Sequence, residues 1–258
     1  MNTRIVVLAA GRGTRMNSDI PKVLIPLGGK PILRHLMDAI AASGIDSHPV
    51  IVVGENENLI REALGPDGYT YIRQDAPLGT GHAVLCTEAY LAADSGDIIV
   101  LYGDHPFVSA ETIKNLHALH KDKKCAMSMM TVTVEDFEAW RAPFYDFGRV
   151  VRDKRGDVRA IVEVKDATAE EREIQELNPS FFCFRASWLW PHLKRLTNNN
   201  SKREYYLTDL VRIAIDEGEC IASMDINPLQ AIGVNTPEHL EIAKAILQRS
   251  FPTENPNT

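Results

Sequence analysis

Long apolar runs are missing from this chain of 258 residues. None approaches the ~20 residues that a helix needs to cross a bilayer, so no membrane partner is expected. A basic excess is missing too: 28 Lys and Arg stand against 35 Asp and Glu, a formal charge of -7. A nucleic-acid partner is therefore not expected, because such surfaces carry a clustered basic footprint. Phosphate substrates remain open, since they need only a few placed cations and backbone amides. Cysteine is scarce, with Cys86, Cys125, Cys183 and Cys220 far apart and no C-x-x-C. Neither a zinc site nor a disulfide framework follows from that spacing, and a reducing cytoplasm is the simplest setting. Ile5 to Ala10 has the look of a leader peptide, but the apolar run stops at Gly11-Arg12-Gly13 and suits a first strand better. Repeats are absent, including the hexapeptide period of a left-handed β-helix. With 45% hydrophobic and 24% charged residues, the chain has the composition of a globular protein.

Apolar runs alternate with helical spacing through the first half, which predicts an α/β fold with a mainly parallel sheet flanked by helices. Strands are expected at Thr3 to Leu8, Pro49 to Val53, Tyr69 to Arg73 and Asp97 to Tyr102. Helices are expected from Pro31, over Asn56 to Leu64, over Thr80 to Leu91 with Thr80 near the cap, and from Ser109 to about Lys121. After Ala126 to Val134 the character changes, and further strands follow at Gly148 to Arg152, Asp157 to Val162, Phe181 to Phe184 and Cys220 to Asp225. Helices are predicted at Ser187 to Leu196, Thr208 to Glu217 with Thr208 as cap, and from Thr236-Pro237-Glu238 to about Arg249. Residues 251–258, rich in Pro and Asn, read as a disordered tail.

The loop after the first strand carries the most chemistry. Glycines there let the backbone approach a ligand and offer N–H groups to phosphate oxygens. A P-loop is ruled out, because no Lys-Ser or Lys-Thr follows Gly13, and Met16 stands where a dinucleotide fingerprint needs a small residue. What remains is a Gly-rich loop with Arg12, Arg15 and Lys22 within reach of anionic groups. A solvated loop with incidental basic residues is the other reading.

Leu8-Ala9-Ala10-Gly11-x-Gly13-Thr14-Arg15-Met16, with Pro21-Lys22, resembles the signature of the sugar-nucleotide pyrophosphorylases. The likeness is nearest to the uridylyltransferase domain of bacterial N-acetylglucosamine-1-phosphate uridylyltransferases. Gln74 before Leu78-Gly79-Thr80-Gly81-His82-Ala83, Leu101-Tyr102-Gly103-Asp104, Phe147-Gly148-Arg149-Val150 and Ile161-Val162-Glu163 occur in the family's order. So do Leu196-Thr197-Asn198-Asn199-Asn200, Glu204-Tyr205-Tyr206-Leu207-Thr208-Asp209 and Gly233-Val234-Asn235.

The resemblance implies a Rossmann-like nucleotidyltransferase fold over residues 1–250, with a nucleotide half near 1–110 and a sugar half over 111–250. It implies UTP and a sugar 1-phosphate, N-acetylglucosamine 1-phosphate by the nearest likeness, as partners, and Mg²⁺ as cofactor. Leu8, Ala9, Ala10, Gly11, Lys22 and Gly103 would lie against the nucleotide, with Gln74, Gly79 and Thr80 reading the base. Tyr102, Gly148, Glu163, Asn178, Tyr206 and Thr208 would hold the sugar, and Asp104 and Asn235 the metal, a hard-oxygen set suited to Mg²⁺. Arg15, Lys22 and Asp104 would be catalytic. Taken alone, Gln74 also reads as a surface residue ending a strand, Asp104 as a helix cap, and Glu163 as a partner for Lys165. His82 and His105 read as structural, because a sugar phosphate is already an anion and needs no general base. Asn178-Pro179-Ser180 departs from the family's Asn-Thr-Gly, which loosens the expected sugar specificity. Another sugar or base, or a non-catalytic binding module, remains an alternative. The acetyltransferase activity that bifunctional members add through a β-helix is not expected of this chain.

Overall fold

The structure, a computed structural model, describes residues 2–11, 13–16, 20–93, 95–200 and 202–250. The chain opens with strand β1 (Asn2–Leu8), short 3-10 turns at Thr14–Met16 and Lys22–Leu24, and a small hairpin of β2 (Pro26–Leu27) and β3 (Lys30–Pro31). Then come α1 (Ile32–Ser43), β4 (Val50–Val53), α2 (Glu57–Leu64), β5 (Thr70–Arg73), α3 (Thr80–Leu85), α4 (Glu88–Leu91), β6 (Ser95–Tyr102) and α5 (Ala110–Lys123). The second half holds β7 (Met127–Thr133), a 3-10 segment at Ala139–Asp146, β8 (Gly148–Arg152), β9 (Val158–Val162) and α6 (Ala169–Arg172). It continues through β10 (Glu176–Asn178), β11 (Phe182–Arg185), α7 (Ala186–Leu193), α8 (Asp209–Asp216), β12 (Ile221–Asp225) and α9 (Pro237–Ser250).

One mixed sheet runs β5-β4-β1-β6-β11-β7-β10-β8-β9, with β12 beside β7. The pairs among β5, β4, β1 and β6 are parallel, as is β12 with β7, while the rest of the path is antiparallel. The expected α/β class with helices on both faces is borne out. Parallel strands buried on both faces read as continuous apolar runs, and β1 and β6 do so. Ile5, Val7, Ile99 and Leu101 pack with α1 and α5 on one face. Val6, Ile98 and Val100 pack with residues of α3, α7 and α8 on the other. A third cluster, with Met16, Ile25, Leu27, Ile32, Val234 and Ala243, docks α9 onto the hairpin and the start of α1.

Several expectations change. The helix foreseen over Thr80 to Leu91 is two helices, broken at Thr87, whose buried hydroxyl donates to the Val84 carbonyl at 2.7 Å. Such back-bonding competes with helical propagation. Thr80 is the first residue of α3 rather than its cap, and its Oγ1 accepts the Leu207 N–H at 3.0 Å. Thr208 stands at the start of α8 but makes no side-chain capping bond. Thr236 does cap α9, accepting the His239 N–H at 3.3 Å. Cys125 and Cys220, which spacing left unpaired, form a disulfide with Cα atoms 4.7 Å apart. The parallel pairing of β12 with β7 sets their starting residues side by side. The expected tail at 251–258 lies outside the described residues.

Candidate active site

β1 and β6 run parallel, so their C-terminal ends, Leu8 and Tyr102, meet at one sheet edge. Ligands gather at that edge in open α/β sheets. The Gly103 N–H donates to the Leu8 carbonyl at 3.0 Å, which holds the glycine beneath the loop. Gly13 turns the loop at φ +61°, and a Cβ there would lie 2.6 Å from Lys22 Cβ, so only glycine lets Lys22 fold back over the site. Val234 donates its N–H to the Asp104 carbonyl at 2.9 Å, which brings the segment before α9 against the end of β6.

These constraints converge on a small charged cluster. Lys22 Nζ donates to Asp104 Oδ2 at 2.6 Å and to Asn235 Oδ1 at 2.7 Å. Arg15, exposed to solvent, reaches the same Asn235 oxygen at 3.4 Å. The other Asp104 oxygen accepts from His105 Nδ1 at 2.9 Å, and the His105 ring packs edge-on against Phe181, centroids 4.9 Å apart. Burial opposes ionisation of Asp104, but Lys22 and His105 outweigh it and hold the carboxyl well below the usual carboxylate range. The two oxygens expected to ligate metal thus already face one cation. A carboxylate and an amide oxygen fit Mg²⁺, which completes its shell with water and phosphate oxygens. Among the described residues there is no group of three or more His, Cys, Asp or Glu side chains able to hold a metal.

On one side of the cluster lies a cleft of about 220 Å³, lined by Leu8, Ala9, Ala10, Gly11, Lys22, Gln74, Gly79, Thr80, Tyr102 and Asp104. The expected nucleotide residues are thus together, with Gly103 below. Pro77 and Glu204 join them unforeseen. Gly79 adopts φ +105°, and a Cβ there would lie 2.6 Å from the Tyr205 carbonyl oxygen, so this wall closes only on glycine. On the other side, a chamber of about 260 Å³ is lined by Tyr102, Asp104, His105, Gly148, Glu163, Asn178, Pro179, Ser180 and Asn235, among others. Tyr206 and Thr208 do not line it. They line a groove of about 630 Å³ that shares Glu163 with the chamber.

Tyr102 stands between cleft and chamber, and burial pushes its phenol up. Burial likewise raises Glu163, with Lys165 opposing and Asp166 adding to the shift. Asn178 Oδ1 accepts the Ser180 N–H at 2.9 Å, fixing Ser180 at φ +66°, a conformation that favours glycine. Sequence reasoning missed Arg149, which is wholly buried. It donates to the Tyr145 and Phe147 carbonyls and lies over the Phe137 and Tyr145 rings, clamping the segment ahead of Gly148. Arg12 lies outside the described residues.

The fold and its sheet-edge cleft are those of a nucleotidyltransferase. Residues 5–212 match the MobA-like NTP transferase domain family, and the chain belongs to it. The bifunctional protein GlmU of Bdellovibrio bacteriovorus is 37% identical over 241 residues, 93% of this chain and 50% of that protein. The GlmU of Brevibacillus brevis is 38% identical over 249 residues, 96% of this chain and 52% of that protein. The chain therefore spans about half the length of these curated relatives. A solved UDP-glucose pyrophosphorylase in complex with UDP-glucose superposes with a TM-score of 0.73, covering 96% of this chain and 100% of its own. At 18% identity that likeness is one of fold. Among the described residues no helix is long and apolar enough to cross a membrane.

Proposed function

We propose that the chain is a sugar-1-phosphate uridylyltransferase that joins UTP to N-acetylglucosamine 1-phosphate and releases pyrophosphate. The observation that carries this reading is the position of the Lys22–Asp104–Asn235 cluster where cleft and chamber meet. In this reading the cleft takes the nucleotide and the chamber the sugar, with residues 1–110 forming most of the first and 111–250 most of the second. The GlmU relatives, and the solved neighbour with UDP-glucose bound, support a nucleotide-sugar product.

A phosphate oxygen of the sugar phosphate attacks the α-phosphorus of UTP in line. One oxygen–phosphorus bond forms as the bond to the departing pyrophosphate breaks, and positioning with charge neutralisation supplies most of the catalysis. Lys22 and Arg15 face the phosphates and neutralise charge that moves onto the leaving group. Asp104 and Asn235 would hold Mg²⁺, which polarises the phosphoryl oxygens when bound. His105 fixes the Asp104 carboxylate, and the nucleophile needs no base because it is already ionised. Gln74, Gly79 and Thr80 face the base, and Glu163 and Asn178 the sugar. A panel of nucleoside triphosphates and sugar 1-phosphates assayed for pyrophosphate release tests the reading. UTP with N-acetylglucosamine 1-phosphate should give the highest kcat/KM, and a different base or a plain hexose phosphate winning would refute the specificity.

A further inference from the structure

Gln74 follows β5 and is only 7% exposed. Its Nε2 lies 3.0 Å from the Gly79 carbonyl oxygen and 3.0 Å from His82 Nδ1. A carbonyl oxygen only accepts hydrogen bonds, so the amide atom facing it is the nitrogen. With one proton on Gly79, the other meets His82 Nδ1, which accepts only in the neutral tautomer that carries its proton on Nε2. Cys86 Sγ, one helical turn on, stands farther from that nitrogen at 3.9 Å. His82 is itself held, because the first turn of α3 is pinned by Gly81 N–H to the Tyr205 carbonyl at 2.8 Å and by Thr80 to Leu207. Both amide protons of Gln74 are therefore engaged, and its Oε1 is left for the cleft.

We propose that His82 is a positioning residue for base selection, fixing Gln74 with its acceptor oxygen toward the base. An acceptor set opposite the ring nitrogen favours bases that present an N–H there, as uracil does at N3, and disfavours cytosine, whose N3 is itself an acceptor and whose donor on that edge is the neighbouring N4 amino group. The inference rests on the reading of the cleft as the nucleotide site. It adds a residue that touches no substrate and acts through Gln74.

The test compares wild type with His82→Leu, which removes the acceptor, and His82→Asn, whose Oδ1 stands where Nδ1 does. Titration calorimetry and kcat/KM with UTP and CTP give the discrimination ratio, and thermal melting checks folding. One neutral hydrogen bond is worth up to about a tenfold factor. The UTP-over-CTP ratio should thus fall roughly tenfold in His82→Leu and stay within about threefold of wild type in His82→Asn. A folded His82→Leu that keeps the full ratio, or an equal loss in both variants, overturns the inference. Nitrogen NMR of the wild-type imidazole tests it without relying on a variant: the Nε2–H tautomer is expected, and an Nδ1–H tautomer refutes the geometry. A wild type that takes UTP and CTP equally, with the Nε2–H tautomer present, would instead remove the uridine reading and the selection built on it.

Discussion

Asp104 gives the sharpest prediction on both stability and turnover. It is 9% exposed, and the Lys22 side chain that it meets at 2.6 Å is 13% exposed. Asp104→Ala leaves Lys22 with Asn235 alone and leaves the buried His105 donor without its acceptor. Removing one partner of a buried pair costs about 3–5 kcal/mol, and the open cleft beside Lys22 lowers our expectation to ~2–3 kcal/mol. Asp104→Asn keeps an oxygen for His105 and should cost about 1–2 kcal/mol. Both should reduce pyrophosphate release by about two to three decades, because each removes the carboxylate proposed to hold the metal beside the phosphates. The acid limb gives an independent check. A carboxyl whose folded pKa is depressed adds stability above its unfolded value of about 3.9 and loses it as pH falls toward the folded value. Below about pH 4 the wild type should therefore lose stability more steeply than Asp104→Asn. Denaturant unfolding at a series of pH values reads this directly. Parallel acid limbs would refute the electrostatic account, and near-wild-type turnover in a folded Asp104→Asn would refute the catalytic one.

Arg15→Ala should lower kcat more than it raises KM for the sugar phosphate, because its proposed role is with charge that grows in the transition state. A rise in KM for UTP alone would make Arg15 a ground-state clamp. Gly79→Ala should cost several kcal/mol and abolish nucleotide binding, as its Cβ would sit 2.6 Å from the Tyr205 oxygen at a positive φ; calorimetry with UTP decides it. Ser180→Gly should stabilise the protein by up to about 1 kcal/mol, since φ +66° costs glycine least. Raised selectivity for N-acetylglucosamine 1-phosphate over the N-acetylgalactosamine form is the expected companion, measured as a kcat/KM ratio.

The first half of the fold was legible because its strands are buried on both faces and its helices keep an apolar stripe, so each element announces its own period. The second half builds short antiparallel strands whose partners are distant in sequence. β10 and β11 lie along one side of β7 on either side of Pro179-Ser180-Phe181, and only the second of them carried a pattern long enough to read. The Cys125–Cys220 pairing depends on β12 lying beside β7, which spacing does not encode. At the site, the Gly-rich loop, Lys22 and Asp104 stand out by their chemistry and by following β1 and β6. Asn235 was reachable only through family likeness, since local sequence does not reveal that the segment before α9 packs against the end of β6. Arg149 escaped because a wholly buried arginine held by carbonyls and rings has no periodic signature. His82 and His105 were read as structural, and the structure sets both against residues expected to meet substrate.

The central claim is that this chain transfers the uridylyl group of UTP to a sugar phosphate. Incubation with Mg²⁺, N-acetylglucosamine 1-phosphate and UTP labelled at the α-phosphate tests it most directly. The account predicts that the label appears in UDP-N-acetylglucosamine in step with an equimolar release of pyrophosphate. Label that stays in UTP, or that appears in UMP with no nucleotide sugar formed, would contradict it.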